Sequence, residues 1–141
     1  MLKSEDLPAL REKARTLNLD GWQLLRDTPD EVVMQVCNGI GPACFPPVIR
    51  EALDALHPSL VIVSVIHDLE WEFASGSFDE FLATNEHFRA NGRKVADAAY
   101  RWWDIRRYIV RRDADRLANL CDCFGWLAYR ASIRSREVAS K

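Results

Sequence analysis

The sequence predicts an all-α fold: a single-domain helical bundle of about five to seven helices with a central antiparallel helix hairpin. Three observations predict it. Apolar residues recur at three- and four-residue spacing, as in Leu7, Leu10, Ala14 and Leu17, or Phe78, Phe81, Leu82 and Phe88. That is the period of a helix with one buried face. Helix start signals precede these stretches, the clearest being the capping box Ser77-Phe78-Asp79-Glu80. The β-branched run Val61–Ile66 has no second convincing strand to pair with.

The bulk numbers agree. A length of 141 residues fits one domain over 1–141, and 48% apolar residues with five tryptophans can fill its core. The net charge of -2 gives no general argument for nucleic acid, but it is uneven: residues 1–100 carry -7 and residues 101–141 carry +5. The opening MLKSEDLPAL lacks the apolar segment of a secretory signal, and no uncharged stretch reaches the roughly 18 residues of a membrane span. A cytoplasmic protein is expected. Cys37, Cys44, Cys121 and Cys123 then read as reduced structural thiols without zinc-site spacing.

In order, Ser4 caps a first helix, with Glu5 and Asp6 in its first turn, running to about Leu17 before Asp20-Gly21 breaks it. Trp22, Leu24 and Leu25 form a loop or short helix against the core. Thr28 caps a short helix with Pro29 at its first position and Val32, Val33 and Val36 following. Cys37-Asn38-Gly39-Ile40-Gly41-Pro42 is a tight loop. It reads either as an ordinary helix end and turn or as a loop that aims several backbone groups at one point. Pro46-Pro47 opens a helix over Val48–Leu56, closed by His57-Pro58. The central helix occupies Leu60–Phe73, and Ser77 opens the next, which Asn91-Gly92 ends or kinks. Val95, Ala96, Ala99, Trp102 and Trp103 carry an apolar stripe onward to about Ile109. Asp113 caps a last helix with Leu117, Leu120, Cys121, Phe124, Leu127 and Ala128 as its buried side, and residues 134–141 form a loose tail.

Two polar residues fall on inward-facing stripes. His67 lies one turn after Val63 and one turn before Trp71, and Asn85 sits among Phe78, Phe81 and Phe88. A hairpin through Ala74–Ser77 places them at similar heights, about seven and eight residues from the turn. They read either as a satisfied core pair or as the centre of a site. Asp68, Glu70 and Glu72 read as a solvated face, His57 as a loop residue, and His87 as lying on the polar side of its helix.

His67-Asp68-x-x-Trp71 resembles the H-D-x-x-Y motif of phospholipase A2-like proteins. It looks more like the uncharacterised bacterial and phage-associated members, which have a C-N-G-x-G loop upstream, here Cys37-Asn38-Gly39-Ile40-Gly41. The resemblance spans about Cys37 to Asn91. It implies a calcium-dependent ester or lipid hydrolase, with His67 as base, Asp68 as calcium ligand, and Gly39 and Gly41 in the calcium loop. Asn85 falls where an orienting acid would be, and Trp71 replaces the usual Tyr. An amide can bond the ring but cannot stabilise imidazolium, and it can select the wrong tautomer. A weak or inactive enzyme is implied.

Two other classes compete. Metal-dependent HD phosphohydrolases would need His57 and Asp97 beside His67-Asp68. A non-enzymatic structural or binding module would use Arg101, Arg106, Arg107, Arg111, Arg112 and Arg116, interleaved with Trp102, Trp103 and Tyr108, to grip an anionic surface or nucleic acid. Asp104 and Asp115 share a face with Arg107 and Arg111 and are their expected neutralising partners.

Overall fold

Residues 3–37 and 47–139 are described by the computed structural model, and among them there are seven α-helices and no strand. A 3-10 turn, Ser4–Asp6, leads into α1 (Leu7–Thr16). Then follow α2 (Trp22–Asp27), α3 (Asp30–Val36), α4 (Pro47–Leu56), α5 (Val61–Phe73), α6 (Phe78–Ala99) and α7 (Ile105–Ala139). The expected all-α bundle is present. No helix among the described residues is long and apolar enough to cross a membrane.

The core is centred on α5. Ile62, Val63, Val65, Ile66 and Leu69 are buried on several sides of this helix, against α2, α3 and α6. A helix wrapped in this way keeps its β-branched residues because packing outweighs their modest propensity cost. Helices α5 and α6 are antiparallel: Trp71 meets Thr84 near the connecting turn, and His67 meets Asn85 further from it. Ser77 caps α6 as expected, its hydroxyl accepting from Glu80 N at 3.1 Å.

Several boundaries differ from the sequence expectation. Ser4 does not cap α1; it lies within the 3-10 turn, which Lys3 and Asp6 close through Lys3 N to Asp6 Oδ2 at 3.2 Å. Thr28 ends α2 rather than starting α3, because its hydroxyl donates back to Leu24 O at 2.7 Å. Pro29 is then the residue before α3, which begins at Asp30. Helix α6 runs straight through Asn91-Gly92. The Asn91 amide clamps the backbone of Asp20, at 2.7 Å to its N–H and 2.9 Å to its carbonyl. Gly92 is a close-approach residue: a Cβ there would lie 2.4 Å from Ala114 Cβ.

That contact explains the largest differences. Helix α7 packs along α6 on small residues, Ala114, Ala118 and Gly125, with Val110 and Tyr129 at either end. The interaxial distance is set by side-chain size at the contact, so small residues bring the helices closest. The expected buried side is therefore turned outward: Leu120, Phe124, Leu127 and Ala128 are exposed. The stripe expected to continue to Ile109 ends with α6 at Ala99, and Trp102 and Trp103 stand 69% and 59% exposed. Asp113 is inside α7 and caps nothing; its carboxylate faces Arg112 at 3.2 Å, His57 at 3.6 Å and Arg116 at 3.7 Å. Helix α7 continues to Ala139, so it includes residues 134–139 of the expected tail.

Candidate functional site

His67 is buried at the α5–α6 contact, with its ring tilted against Trp71 at 4.7 Å and edge-on to Phe88 at 5.3 Å between centroids. Its Nε2 is 2.9 Å from Asn85 Oδ1. Asn85, itself 0% exposed, sends its amide nitrogen on to Asp122 Oδ1 of α7 at 2.8 Å. Asp122 Oδ2 accepts from Arg89 Nη2 at 3.0 Å, and Arg89 also binds Asn119 Oδ1 at 2.8 Å and pairs with Glu86. The chain of contacts runs imidazole, amide, carboxylate, guanidinium across three helices.

This chain decides the tautomer. A carboxylate only accepts, so Asp122 holds the Asn85 NH₂ toward itself and leaves the Asn85 oxygen facing the ring. His67 then carries its proton on Nε2, as it would beside a carboxylate. The wrong tautomer that the amide could have selected is not the one found, because Asp122 takes the Asn85 NH₂. The charge of the ring is a separate matter. Burial pushes the His67 pKa down to about 4; the Asn85 bond and the Asp122 charge oppose this only in part. The ring is neutral at pH 7.

The indole N–H of Trp71 donates to Thr84 Oγ1 at 2.9 Å, and Thr84 in turn bonds Phe81 O at 2.9 Å. Asp68 is half-buried on the next position of α5. Its charge reaches two thiols. Burial, then Asp122 and Asp68, push the Cys121 thiol up to about 11; burial, then Asp68, push Cys37 higher still. Both remain protonated at neutral pH. Cys37 follows α3 with its thiol 3.6 Å from the carbonyl of Val65, three residues before Asp68 on α5. Gly39 and Gly41 themselves lie outside the described residues. Among the described residues, no group of three or more His, Cys, Asp or Glu side chains could hold a metal ion.

Glu70 is not on a solvated face, contrary to the expectation. Its side chain is 11% exposed, its Oε1 is 2.6 Å from His87 Nδ1, and its Oε2 is buried without a hydrogen-bond partner among the described residues. Burial raises its pKa to about 7, against the lowering effect of His87. The Gly21 backbone lies over it at φ +80°, where a Cβ would sit 2.7 Å from Glu70 Oε1. The sequence missed this pair, along with Asp122 and Arg89. Asp122 could have been found four residues after Ala118 and three before Gly125, on the small-residue stripe that packs against α6.

The remaining candidates are dispersed. His57 faces Asp113, and Asp97 binds Arg107 at 2.6 Å and Arg111 at 3.7 Å, so neither joins His67 as an HD phosphohydrolase would require. Arg106 pairs with Asp104 at 2.6 Å and Arg112 with Asp113. Asp115 pairs with Arg93 at 3.1 Å instead of with Arg107 or Arg111. Each of Arg106, Arg107, Arg111 and Arg112 thus has a carboxylate beside it. Compared with protein-family models, with curated proteins and with solved structures, the chain finds no match.

Proposed function

We propose that the α5–α6 hairpin carries a phospholipase A2-like site for calcium-dependent hydrolysis of a lipid ester, and that the site is catalytically weak. The observation that carries this reading is the 2.9 Å bond from His67 Nε2 to Asn85 Oδ1, with Asp122 behind it. It leaves Nδ1 of the ring as the unprotonated nitrogen, the one able to take a proton from water. Calcium held by Asp68 and by carbonyls of the loop containing Gly39 and Gly41 would supply the charge that polarises the ester carbonyl.

The weakness follows from the same geometry. When Nδ1 takes a proton, the ring becomes a buried imidazolium. Asn85 offers that cation only a dipole, and the Asp122 carboxylate is one residue further away. A base with a pKa of about 4 accepts a proton reluctantly at neutral pH. Replacing the orienting acid by an amide in a serine protease, where the tautomer is also wrong, costs about 10⁴-fold. Here the tautomer is preserved, so a smaller loss is expected.

The non-enzymatic alternative draws on exposed Trp102 and Trp103, with Arg101 5.0 Å from the Trp103 ring. It is the lesser reading because its core arginines are already paired. Calcium titration followed by calorimetry and thermal shift separates the two. The hydrolase reading expects saturable stabilisation by calcium that Asp68→Ala abolishes, and slow turnover of a short-chain phospholipid that His67→Ala abolishes. No calcium response in the intact protein removes it.

A further inference from the structure

Helix α7 is longer than the helix it packs on. It has 35 residues against 22 in α6, and it runs on past Trp126, which Phe78 at the start of α6 meets edge-on. Its inner side is filled by Ala114, Ala118, Asp122 and Tyr129. Its outer side is apolar. Leu120, Phe124 and Leu127 are 55%, 76% and 79% exposed, and Ala131 follows them, also exposed. Steps of four, three and four residues are those of a coiled-coil seam, and at 100° per residue these four lie within about 60° of one another. The nearby cations are engaged within the chain. Arg112 and Arg116 share Asp113 at 3.2 and 3.7 Å, and Arg130 lies over the Trp126 ring at 5.6 Å. From Leu120 to Ala131 the seam itself carries no charged residue.

We propose that two copies of this chain pair through the outer face of α7, antiparallel, about a two-fold axis level with the gap between Phe124 and Leu127. A two-fold contact needs a surface complementary to itself, and this register supplies one. Phe124 of each copy meets Leu127 of the other, and Leu120 of each meets Ala131, a large side chain against a small one. On one flank of the seam, Cys123 comes beside Arg130 of the second copy, two residues or about 3 Å from level. Arg116 on the same flank comes beside position 137, a glutamate in the sequence. Charge fixes this register against its main competitor. An axis moved back to the level of Asp122 would match Leu120 to Phe124, but it would set Arg116 beside Arg130 on both sides of the contact. Like charges placed together oppose association. The pairing does not depend on His67, Asp68 or calcium.

The test is sedimentation equilibrium of the full chain, with reductant and EDTA, over a wide range of concentration. Twice the mass of the chain is expected at high concentration, with dissociation on dilution. The double substitution Phe124→Ser/Leu127→Ser should weaken the association at least about tenfold. Both side chains are exposed, so the circular dichroism spectrum should be retained. The register is read by a cross-link. With oxidised glutathione as electron acceptor, Arg130→Cys should join to Cys123 of the second copy, and adding Cys123→Ser should abolish the covalent dimer. Within one chain these positions are two turns or about 10 Å apart, beyond the reach of a disulfide. A chain that stays monomeric at every concentration overturns the proposal, as does a serine variant that pairs as well as the parent. A monomer that sediments with anionic vesicles also overturns it and assigns the face to a bilayer. A dimer in which Arg130→Cys forms no such disulfide, or in which Cys123 of the parent chain cross-links to Cys123, overturns the register and the pairing argued from it.

Discussion

Helices α5 and α6 bury two imidazole pairs one turn apart, and they are opposites. At His67 the imidazole is the buried partner and an amide faces it. At Glu70 the carboxyl is the buried partner and faces a half-exposed imidazole, His87. Burial acts against charge in both cases. It pushes the base down, to about 4 at His67, and the acid up, to about 7 at Glu70. The first pair is fixed in a neutral form across the physiological range; the second can change its protonation state near neutrality. The difference lies in the second layer. Asn85 is anchored by Asp122 and Arg89, whereas Glu70 Oε2 has no anchor among the described residues.

The largest expected effect breaks the anchored pair. Asn85→Leu keeps the branched shape but orphans the buried Nε2–H of His67 and removes one partner of the half-exposed Asp122. A loss of about 3 kcal/mol is expected by urea denaturation, since a buried orphaned donor costs about 1–3 kcal/mol and overpacking adds to it. A loss under about 1 kcal/mol would mean that the chain of contacts carries no stability.

A smaller effect sharpens the contrast through pH. Glu70 has a folded pKa above its ordinary 4.5, so its contribution is full below about 4.5 and is lost as pH rises toward about 7. His67 has a folded pKa below its ordinary 6.5, so its contribution is full above about 6.5 and is lost as pH falls toward about 4. Between these limits the two slopes oppose each other. Glu70→Gln should remove the falling slope, on the order of 2 kcal/mol at pH 7, and expose the rising one in urea midpoints measured from pH 4 to 8. Identical pH profiles for the two proteins would show that Glu70 does not titrate as described.

How much of this could be read from the sequence depends on what the signal was. His67 and Asn85 were found as partners because each interrupts an apolar stripe and the turn between them fixes their heights. The helix at Val61–Phe73 was found because no strand could pair with it. Helix α7 was misread because hydrophobic size was taken to mark the buried side, whereas Gly92 and Ala114 make a close contact that only small residues can fill. Asp122 was lost with that error. Glu70 was misread because its burial comes from the turn at Gly21, distant in sequence and folded over it by the Asn91 clamp on Asp20. Local periodicity carries no record of that contact.

Burial holds the His67 ring neutral, and Asn85 fixes its proton on Nε2. The most direct measurement is ¹⁵N NMR of the histidine ring nitrogens through a pH titration in EDTA. The Nε2–H tautomer is expected from pH 8 down to about 5, with protonation only near pH 4, and a higher apparent pKa in Asn85→Asp, where a carboxylate replaces the amide. A His67 ring that titrates at its ordinary value of about 6.5, or that carries its proton on Nδ1, would contradict it.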